Sequence, residues 1–226
     1  MGTSPVVIAR AQGVTAQALS VNRPTWADMN KHYPNESIQS PSFFPMVGKD
    51  YVAAYKGNQD AYENTCAARM SFALNRSGMK LPVAPEGGSI KGDDKLNYWL
   101  RVKQLSARLN NQFGKPDKEL KHRLVKKTTE VELYDERQKN ALAFIGEIKS
   151  MKGIMVFEVT GWGNATGHFT LWDGKDLSYV GRDDYGNTPH NWPDLQNLEY
   201  YFWYIRGSPP DKVGSQMTRA YLWELK

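Results

Sequence analysis

The sequence predicts an α+β protein in which N-terminal helices pack on an antiparallel sheet. Apolar residues recur at helical spacing through roughly the first two thirds of the 226 residues. From residue 153 onwards, short β-branched and aromatic runs replace this pattern. Helical segments followed by a block of strands are typical of an α+β architecture. Hydrophobic residues make up 40% of the chain and charged residues 23%, values that exclude a wholly disordered or fibrous protein.

Two helices near the N-terminus are marked by capping residues and by apolar spacing. The first is expected over residues 25–33, where Thr25 follows a proline and can cap the helix. The second is expected over residues 63–78, with Gly78 able to end it in a left-handed turn. Cys66 therefore lies in a first helical turn. Further helices are expected over residues 93–113 and 135–149, with a shorter one near 50–55 inside a loop over 35–63.

The strand block begins with IMVFEV over residues 154–159, a nearly continuous apolar run that suits a buried central strand. The glycine-rich link GWGNATG then leads to HFTLW, which alternates as a strand. Two further strands are expected over residues 200–205 and 220–225. We expect residues 1–22 to form a flexible arm and residues 23–226 to form a single domain.

The composition of the chain argues against metal-binding, membrane-spanning and nucleic-acid-binding proteins. A single cysteine excludes an intrachain disulfide and a cysteine zinc cluster, and the four histidines show no HExxH spacing, so we expect neither a metal nor a cofactor. No apolar run approaches the about 18 residues of a membrane-spanning helix, so no membrane partner is expected. The basic stretch over residues 115–127 carries no nucleic-acid-binding motif and is interpreted as a solvated surface, with no nucleic-acid partner expected.

Cys66 has the position of a nucleophile. The first turn of a helix presents unsatisfied N–H groups and the positive end of the helix dipole, which both stabilise a thiolate. A thiolate nucleophile also needs an imidazole, and His168 is the best candidate because it follows the glycine-rich link at the start of a strand. A helical cysteine followed by a strand histidine is the papain-like arrangement. The alternatives are a packing cysteine and a strand histidine bonded to backbone; the other histidines, His32, His122 and His190, are interpreted as surface or loop residues.

Five blocks of the chain carry a more specific similarity. They are RPTW over 23–26, NTCAARMSFALN over 64–75, FGKPD over 113–117, KGIMVFEVTGWGNATGHFTLWDG over 152–174 and YLWEL over 221–225. In this order they closely resemble the type VI secretion amidase effector family 4, whose members are peptidoglycan-cleaving enzymes with an NlpC-type papain-like fold. The resemblance covers most of the chain from about residue 23 to its C-terminus.

This resemblance implies a function. It implies Cys66 as nucleophile and His168 as general base in the hydrolysis of the γ-D-glutamyl to meso-diaminopimelate amide of peptidoglycan stem peptides. It also implies delivery by the type VI secretion apparatus, action in the periplasm of a competing bacterium, and a cognate immunity protein in the producer. The alternative is a papain-like module without activity that binds wall polymer or nucleic acid.

The third catalytic position departs from the family pattern. The family carries an aspartate about eleven residues beyond the histidine, and here that position holds Tyr179. A tight turn at residues 173–174 would place Tyr179 opposite His168. A looser turn over 173–178 would instead bring Asp183 opposite the imidazole, and we favour Asp183 as the residue that orients it. The alternatives are Asp176, Asp184 and Tyr179.

Two tryptophans flank His168 in the sequence. Trp162 lies in the glycine-rich link and Trp172 ends the strand that follows it. Both are therefore candidates for the wall of a peptide-binding cleft, the alternative being that they belong to the core of the sheet.

Overall fold

The computed structural model describes residues 6–7, 10–11, 14–15, 19–20, 23–125, 131–181, 201–208 and 212–226. It confirms the α+β fold, with helices packed against an antiparallel sheet. Near the N-terminus, β1 (Val6–Val7) pairs with β4 (Leu19–Ser20), and β2 (Arg10–Ala11) pairs with β3 (Val14–Thr15).

The first helix of the main body, α1, spans Trp26–His32 and begins as the sequence predicts, because the Thr25 hydroxyl accepts a hydrogen bond from the N–H of Asp28 at 3.1 Å. The next region contains more helix than predicted. The short helix expected near 50–55 is confirmed, two further helices replace the expected loop around it, and aromatic packing holds the three together. They are α2 (Ser40–Val47), α3 (Lys49–Gly57) and α4 (Gln59–Tyr62).

The helix that carries the cysteine, α5, spans Cys66–Arg76, so Cys66 does occupy a first turn. The helix expected over 93–113 is shorter than predicted. Residues Ser89–Lys91 and Asn97–Trp99 form an antiparallel pair, β5 and β6, and α6 begins only at Val102 and ends at Phe113. Lys95 lies between the two strands with a φ of 66°, a turn conformation that no helix can contain. The last helix, α7, spans Val131–Ile148.

In the described part of the chain, five strands form the main antiparallel sheet. β8 (Gly153–Thr160) lies between β11 (Lys212–Glu224) and β9 (Gly167–Trp172), as expected for a buried central strand. β11 also pairs with β10 (Ile205–Ser208) and with β7 (Lys118–Lys121). The strand predicted over 200–205 is wrong at its start, because residues 201–202 are helical and β10 begins at Ile205.

Each face of the sheet is covered by helices. One face packs on α1, α5 and α6, and the other packs on α7 and on residues 201–203. Complete burial of a large apolar side chain stabilises a fold by about 1.5–3 kcal/mol, so these two cores hold α5 and β9 in fixed relation. The first core contains Ile154, Val156, Phe169, Leu171, Tyr221 and Trp223, and the second contains Met155, Phe157, Trp172, Ala220 and Leu222.

The link between β8 and β9 offers a matched pair of glycines. Gly161 has a φ of 88°, and a Cβ there would overlap the carbonyl oxygen of Gly214. A Cβ at Gly163 would meet no atom within 4 Å. We therefore predict that Gly161→Ala lowers the free energy of unfolding by at least about 2 kcal/mol, whereas Gly163→Ala changes it by less than about 0.5 kcal/mol. Urea denaturation of both variants measures this difference, and equal effects would contradict the placement of this link.

Candidate active site

Cys66 lies at the start of α5 with 5% of its surface exposed. The preceding residue, Thr65, is the N-cap, but its side chain makes no capping hydrogen bond to the first helical N–H groups. Instead, the Thr65 hydroxyl accepts a hydrogen bond from Nε of Arg69 at 2.7 Å and is bonded to the hydroxyl of Tyr179 at 2.9 Å. The positive end of the helix dipole therefore lies next to the sulfur without a capping side chain.

His168 is the second residue of β9 and is also 5% exposed. Its Nε2–H donates to the main-chain carbonyl of Tyr179 at 2.8 Å. A carbonyl can only accept, so this bond fixes the neutral imidazole with its proton on Nε2 and leaves Nδ1 as the basic nitrogen. The ring also stacks on Tyr201 at 4.5 Å and on Tyr179 at 5.5 Å, in both cases at 25°. The imidazole is thus held both in its plane and on its faces.

Burial lowers the pKa of His168 to about 4. The carbonyl of Tyr179 opposes this shift, and the positive charge of Arg69 adds to it. At neutral pH the imidazole is therefore uncharged and able to accept a proton.

The imidazole of His168 lies between the two cores. It stacks on Tyr179, which belongs with Cys66 to the core with α5, and on Tyr201, which belongs to the core with α7. Tyr33 connects the cysteine side to the strand, since its hydroxyl donates to the carbonyl of Phe169 at 3.3 Å. The pKa of Tyr33 is raised mainly by burial, and Cys66 contributes to the rise, so this hydroxyl is within electrostatic reach of the sulfur.

Tyr179 joins the two candidate residues around the free edge of β9. Its hydroxyl bonds to Thr65, the neighbour of Cys66, and its carbonyl accepts from His168. Its own N–H donates to the Thr170 hydroxyl at 2.9 Å, which fixes it beside the strand. Tyr179 therefore connects the segment of Cys66 to the imidazole of His168, through its hydroxyl and its main-chain carbonyl.

The pairing beyond β9 differs from both turns that the sequence suggests. Trp172 pairs with Leu177, so a four-residue turn replaces the tight and the looser alternatives and neither predicted register is right. Asp183, favoured as the orienting residue, lies outside the described residues, as does Asp184. Asp176 lies in the turn, where its N–H donates to the carboxylate of Asp173 at 2.7 Å. Among the described residues, the Tyr179 carbonyl is the hydrogen-bond acceptor of the imidazole.

The two tryptophans have different environments. Trp172 is completely buried, and its indole N–H donates to the carbonyl of Ile148 at 3.0 Å. The expectation that Trp172 lines a cleft is therefore wrong: it faces α7 and fills the core. Trp162 is half-buried and packs on Tyr204 at 6.1 Å between ring centroids. It remains a candidate for the cleft wall.

Several site residues were missed by the sequence analysis. Arg69 lies one turn after Cys66 and is completely buried, and Tyr201 stacks on the imidazole. Glu63 accepts a hydrogen bond from the Asn164 side chain at 2.7 Å, which connects the segment before the cysteine to the link before the histidine. An arginine inside an otherwise apolar helical stretch is the one signal that could have identified Arg69.

His122 corrects a further expectation. It is buried rather than exposed, its Nε2–H donates to the carbonyl of Phe202 at 2.8 Å, and burial lowers its pKa to about 4. The neighbouring Lys118 and Lys121 on β7 are exposed and pair with glutamates, as expected for a solvated surface. Among the described residues, no group of histidine, cysteine and carboxylate side chains is placed to hold a metal, and no helix has the length and apolar character to cross a membrane.

The chain matches a known protein family and is similar to several solved structures. The family model for type VI secretion system amidase effector protein 4, Tae4, matches residues 62–203. The solved structure of Tae4 from Enterobacter cloacae is similar, with a TM-score of 0.60 and 23% identity, covering 91% of this chain and 98% of that chain. The Tae4-Tai4 effector-immunity complex from Salmonella Typhimurium gives a TM-score of 0.54 and 21% identity, with coverage of 91% and 100%. No curated protein sequence matches the chain significantly.

Acid should destabilise the fold through its two buried imidazoles. In the folded protein His168 and His122 take up a proton near pH 4, whereas unfolded histidine does so near 6.5. The unfolded state therefore binds more protons between these values, and stability falls as the pH drops from about 6.5 to 4. We predict that each imidazole accounts for a loss of about 2–3 kcal/mol between pH 7 and pH 4.5, measured by urea denaturation.

The variants His168→Gln and His122→Gln separate this effect from the titration of carboxylates, which is common to all forms. On acidification the free energy of unfolding of each variant should fall by about 2–3 kcal/mol less than that of the wild type, which is the contribution of one imidazole. An unchanged pH dependence in both variants would contradict the buried, neutral state of these rings.

Proposed function

The chain belongs to the type VI secretion amidase effector 4 family, and we propose that it hydrolyses the γ-D-glutamyl to meso-diaminopimelate amide of peptidoglycan stem peptides. In this proposal residues 23–226 form the amidase domain, the type VI apparatus exports the protein, and the reaction takes place in the periplasm of a competing bacterium. A cognate immunity protein protects the producer, a partner supported by the Tae4-Tai4 effector-immunity complexes of the structural relatives.

The observation that carries this proposal is the bridge made by Tyr179. It connects the first turn of α5, where Cys66 lies, to the imidazole of His168. A nucleophile, a base and a group that orients the base are the three parts that cysteine acyl transfer requires. Here the main-chain carbonyl of Tyr179 takes the part of the orienting group.

The proposed reaction begins with proton transfer from the Cys66 thiol to Nδ1 of His168. The thiolate attacks the γ-glutamyl carbonyl carbon, and the carbonyl electron pair moves to oxygen to give a tetrahedral oxyanion. The N–H of Cys66 at the start of α5 and a neighbouring donor stabilise this oxyanion. As the intermediate collapses, the imidazolium gives its proton to the diaminopimelate nitrogen, the C–N bond breaks and the amine leaves.

The acyl-enzyme is then hydrolysed. Neutral His168 removes a proton from a water molecule, the resulting hydroxide attacks the thioester, and the thiolate leaves with the proton returned to sulfur. The low pKa of the buried imidazole favours the steps in which the imidazolium gives up its proton, first to the leaving amine and then to the sulfur.

The substrate approaches from the side of the glycine-rich link in this proposal. Trp162 is half-buried and supplies an aromatic wall, while the hydrogen bond between Glu63 and Asn164 lies where the two catalytic segments meet. The departure from the family aspartate was the argument for an inactive module. Because the Tyr179 carbonyl provides an acceptor for the imidazole, this departure does not by itself imply a loss of activity.

Substitution of either catalytic side chain tests the proposed function. We predict that Cys66→Ala lowers kcat/KM on purified peptidoglycan by at least about a thousandfold and that His168→Gln lowers it by about a hundredfold or more. New amines and stem-peptide fragments identified by mass spectrometry measure both the rate and the bond that is cleaved.

His122→Gln is the matched control for His168→Gln. His122 is equally buried, also donates to a main-chain carbonyl and has the same lowered pKa, but it lies away from the proposed chemistry. It should keep kcat/KM within about threefold of the wild type. Undiminished cleavage by Cys66→Ala, or cleavage of a different bond, would overturn the proposed function.

Two further variants test which group orients the imidazole, the carbonyl of Tyr179 or the carboxylate of Asp183. Tyr179→Phe keeps the carbonyl and loses the hydroxyl that bonds to Thr65, so activity should fall by no more than about tenfold. Asp183→Asn should keep kcat/KM within about threefold, like the exposed control Asp176→Asn. A loss of about a hundredfold in Asp183→Asn alone would show that the carboxylate orients the imidazole.

A further inference from the structure

Arg69 is a buried cation that the proposed mechanism does not use. It is 0% exposed, and Nε donates to the Thr65 hydroxyl at 2.7 Å. Its other nitrogens donate to the carbonyls of Pro34 and Asn35 at 3.1 and 3.3 Å and to the hydroxyl of Ser40 at 3.2 Å. All four acceptors are neutral, and no ion pair of Arg69 with a carboxylate occurs within the described ranges.

A buried guanidinium without a counter-ion is costly for a fold. Aromatic rings reduce part of this cost, since the guanidinium carbon lies 4.1 Å from the ring centroid of Tyr179 and 4.9 Å from that of Phe43. The neutral oxygens act on the guanidinium through their dipoles and the rings through their quadrupoles, so neither neutralises its charge of +1. Its electric field therefore acts on whatever ionises nearby.

The group best placed to ionise near Arg69 is the thiol of Cys66. Residues three apart on a helix lie on the same face with about 5–6 Å between their Cβ atoms. The hydrogen bond from Nε to Thr65 shows that the Arg69 side chain runs back along the first turn, to the residue that directly precedes Cys66. Its charge also reaches the other side of the site, where it contributes to lowering the pKa of His168.

We propose that Arg69 is the fixed counter-charge of the Cys66 thiolate, taking the role that an imidazolium has in a conventional cysteine–histidine ion pair. This inference rests on the proposed function, since it assumes that Cys66 is the nucleophile. It explains how the thiol can give its proton to a buried imidazole: the cation that stabilises the resulting thiolate is permanent and carries no transferable proton.

The other ionisable groups around the thiol do not account for a stabilised thiolate. Tyr33 and Tyr179 are uncharged, and His168 is neutral at pH 7. The carboxylate of Glu36 accepts the N–H of Val180 at 2.6 Å, and Glu63 lies three residues before the cysteine. Both carboxylates would repel a thiolate, so Arg69 is the described side chain whose charge favours it.

The test is the pH dependence of alkylation of Cys66, the chain's single cysteine, by iodoacetamide. We expect the thiol pKa of the wild type to lie below the free value of about 8.5 and to rise by at least about one unit in Arg69→Gln, a tenfold loss of thiolate near neutral pH. Arg69→Lys should keep most of the lowered value, because it keeps the charge. Circular dichroism and thermal melting establish that each variant is folded.

Arg76→Gln is the matched control. Arg76 ends the same helix, lies 3.7 Å from the ring of Phe72 and pairs with Asp94, so the same charge is removed about 15 Å from Cys66 along the helix axis. Its thiol pKa should stay within about 0.3 units of the wild type. An unchanged thiol pKa in folded Arg69→Gln, or an equal shift in Arg76→Gln, would overturn the inference.

A second measurement does not depend on the folding of an Arg69 variant. If Arg69 stabilises the thiolate, His168→Gln should keep a thiol pKa below about 8, whereas stabilisation by an imidazolium predicts a return to about 8.5 in that variant. The latter result would overturn the inference. Because thiol titration requires no substrate, its outcome is independent of whether Cys66→Ala still cleaves peptidoglycan, and failure of the two proposals can be told apart.

Discussion

The hydrogen bond from His168 to the carbonyl of Tyr179 is the interaction on which the rest of the site depends. It selects the imidazole tautomer, and the same tyrosine bonds through its hydroxyl to Thr65 and lies over the guanidinium of Arg69. A single residue at the edge of β9 therefore contacts both the strand that carries the base and the helix that carries the thiol. The two cores on either side of the sheet hold that strand and that helix in place.

Electrostatics in this site are set by burial rather than by a pair of opposite charges. Burial lowers the pKa of the imidazole, while four neutral oxygens and two aromatic rings surround the guanidinium of Arg69. In the proposed mechanism the permanent cation of Arg69 stabilises the thiolate, while the imidazole of His168 accepts and returns the proton. This division requires a dry site, which agrees with the 5% exposure of both Cys66 and His168.

Strong periodic signals made much of the fold predictable. The apolar spacing of α5 and the alternation after the glycine-rich link indicated the two elements that carry the candidate residues, and the sequence placed Cys66 on α5 and His168 on β9 correctly. Of the short helices between residues 40 and 62, the sequence predicted the one near 50–55, which is α3, whereas α2 and α4 were missed because each has few turns and α2 contains Pro45. Their stability comes from aromatic packing between elements, which a local pattern does not reveal.

The hydrogen-bond acceptor of the imidazole could not be predicted because it is a main-chain atom. Its position depends on the turn after β9, where the Asp173 carboxylate accepts the N–H groups of Lys175 and Asp176 and fixes a four-residue turn. The most direct test is nitrogen NMR of the His168 ring at neutral pH. We expect a proton on Nε2, an unprotonated Nδ1 and a ring that stays neutral down to about pH 5. A proton on Nδ1, or an imidazolium at pH 7, would contradict the account.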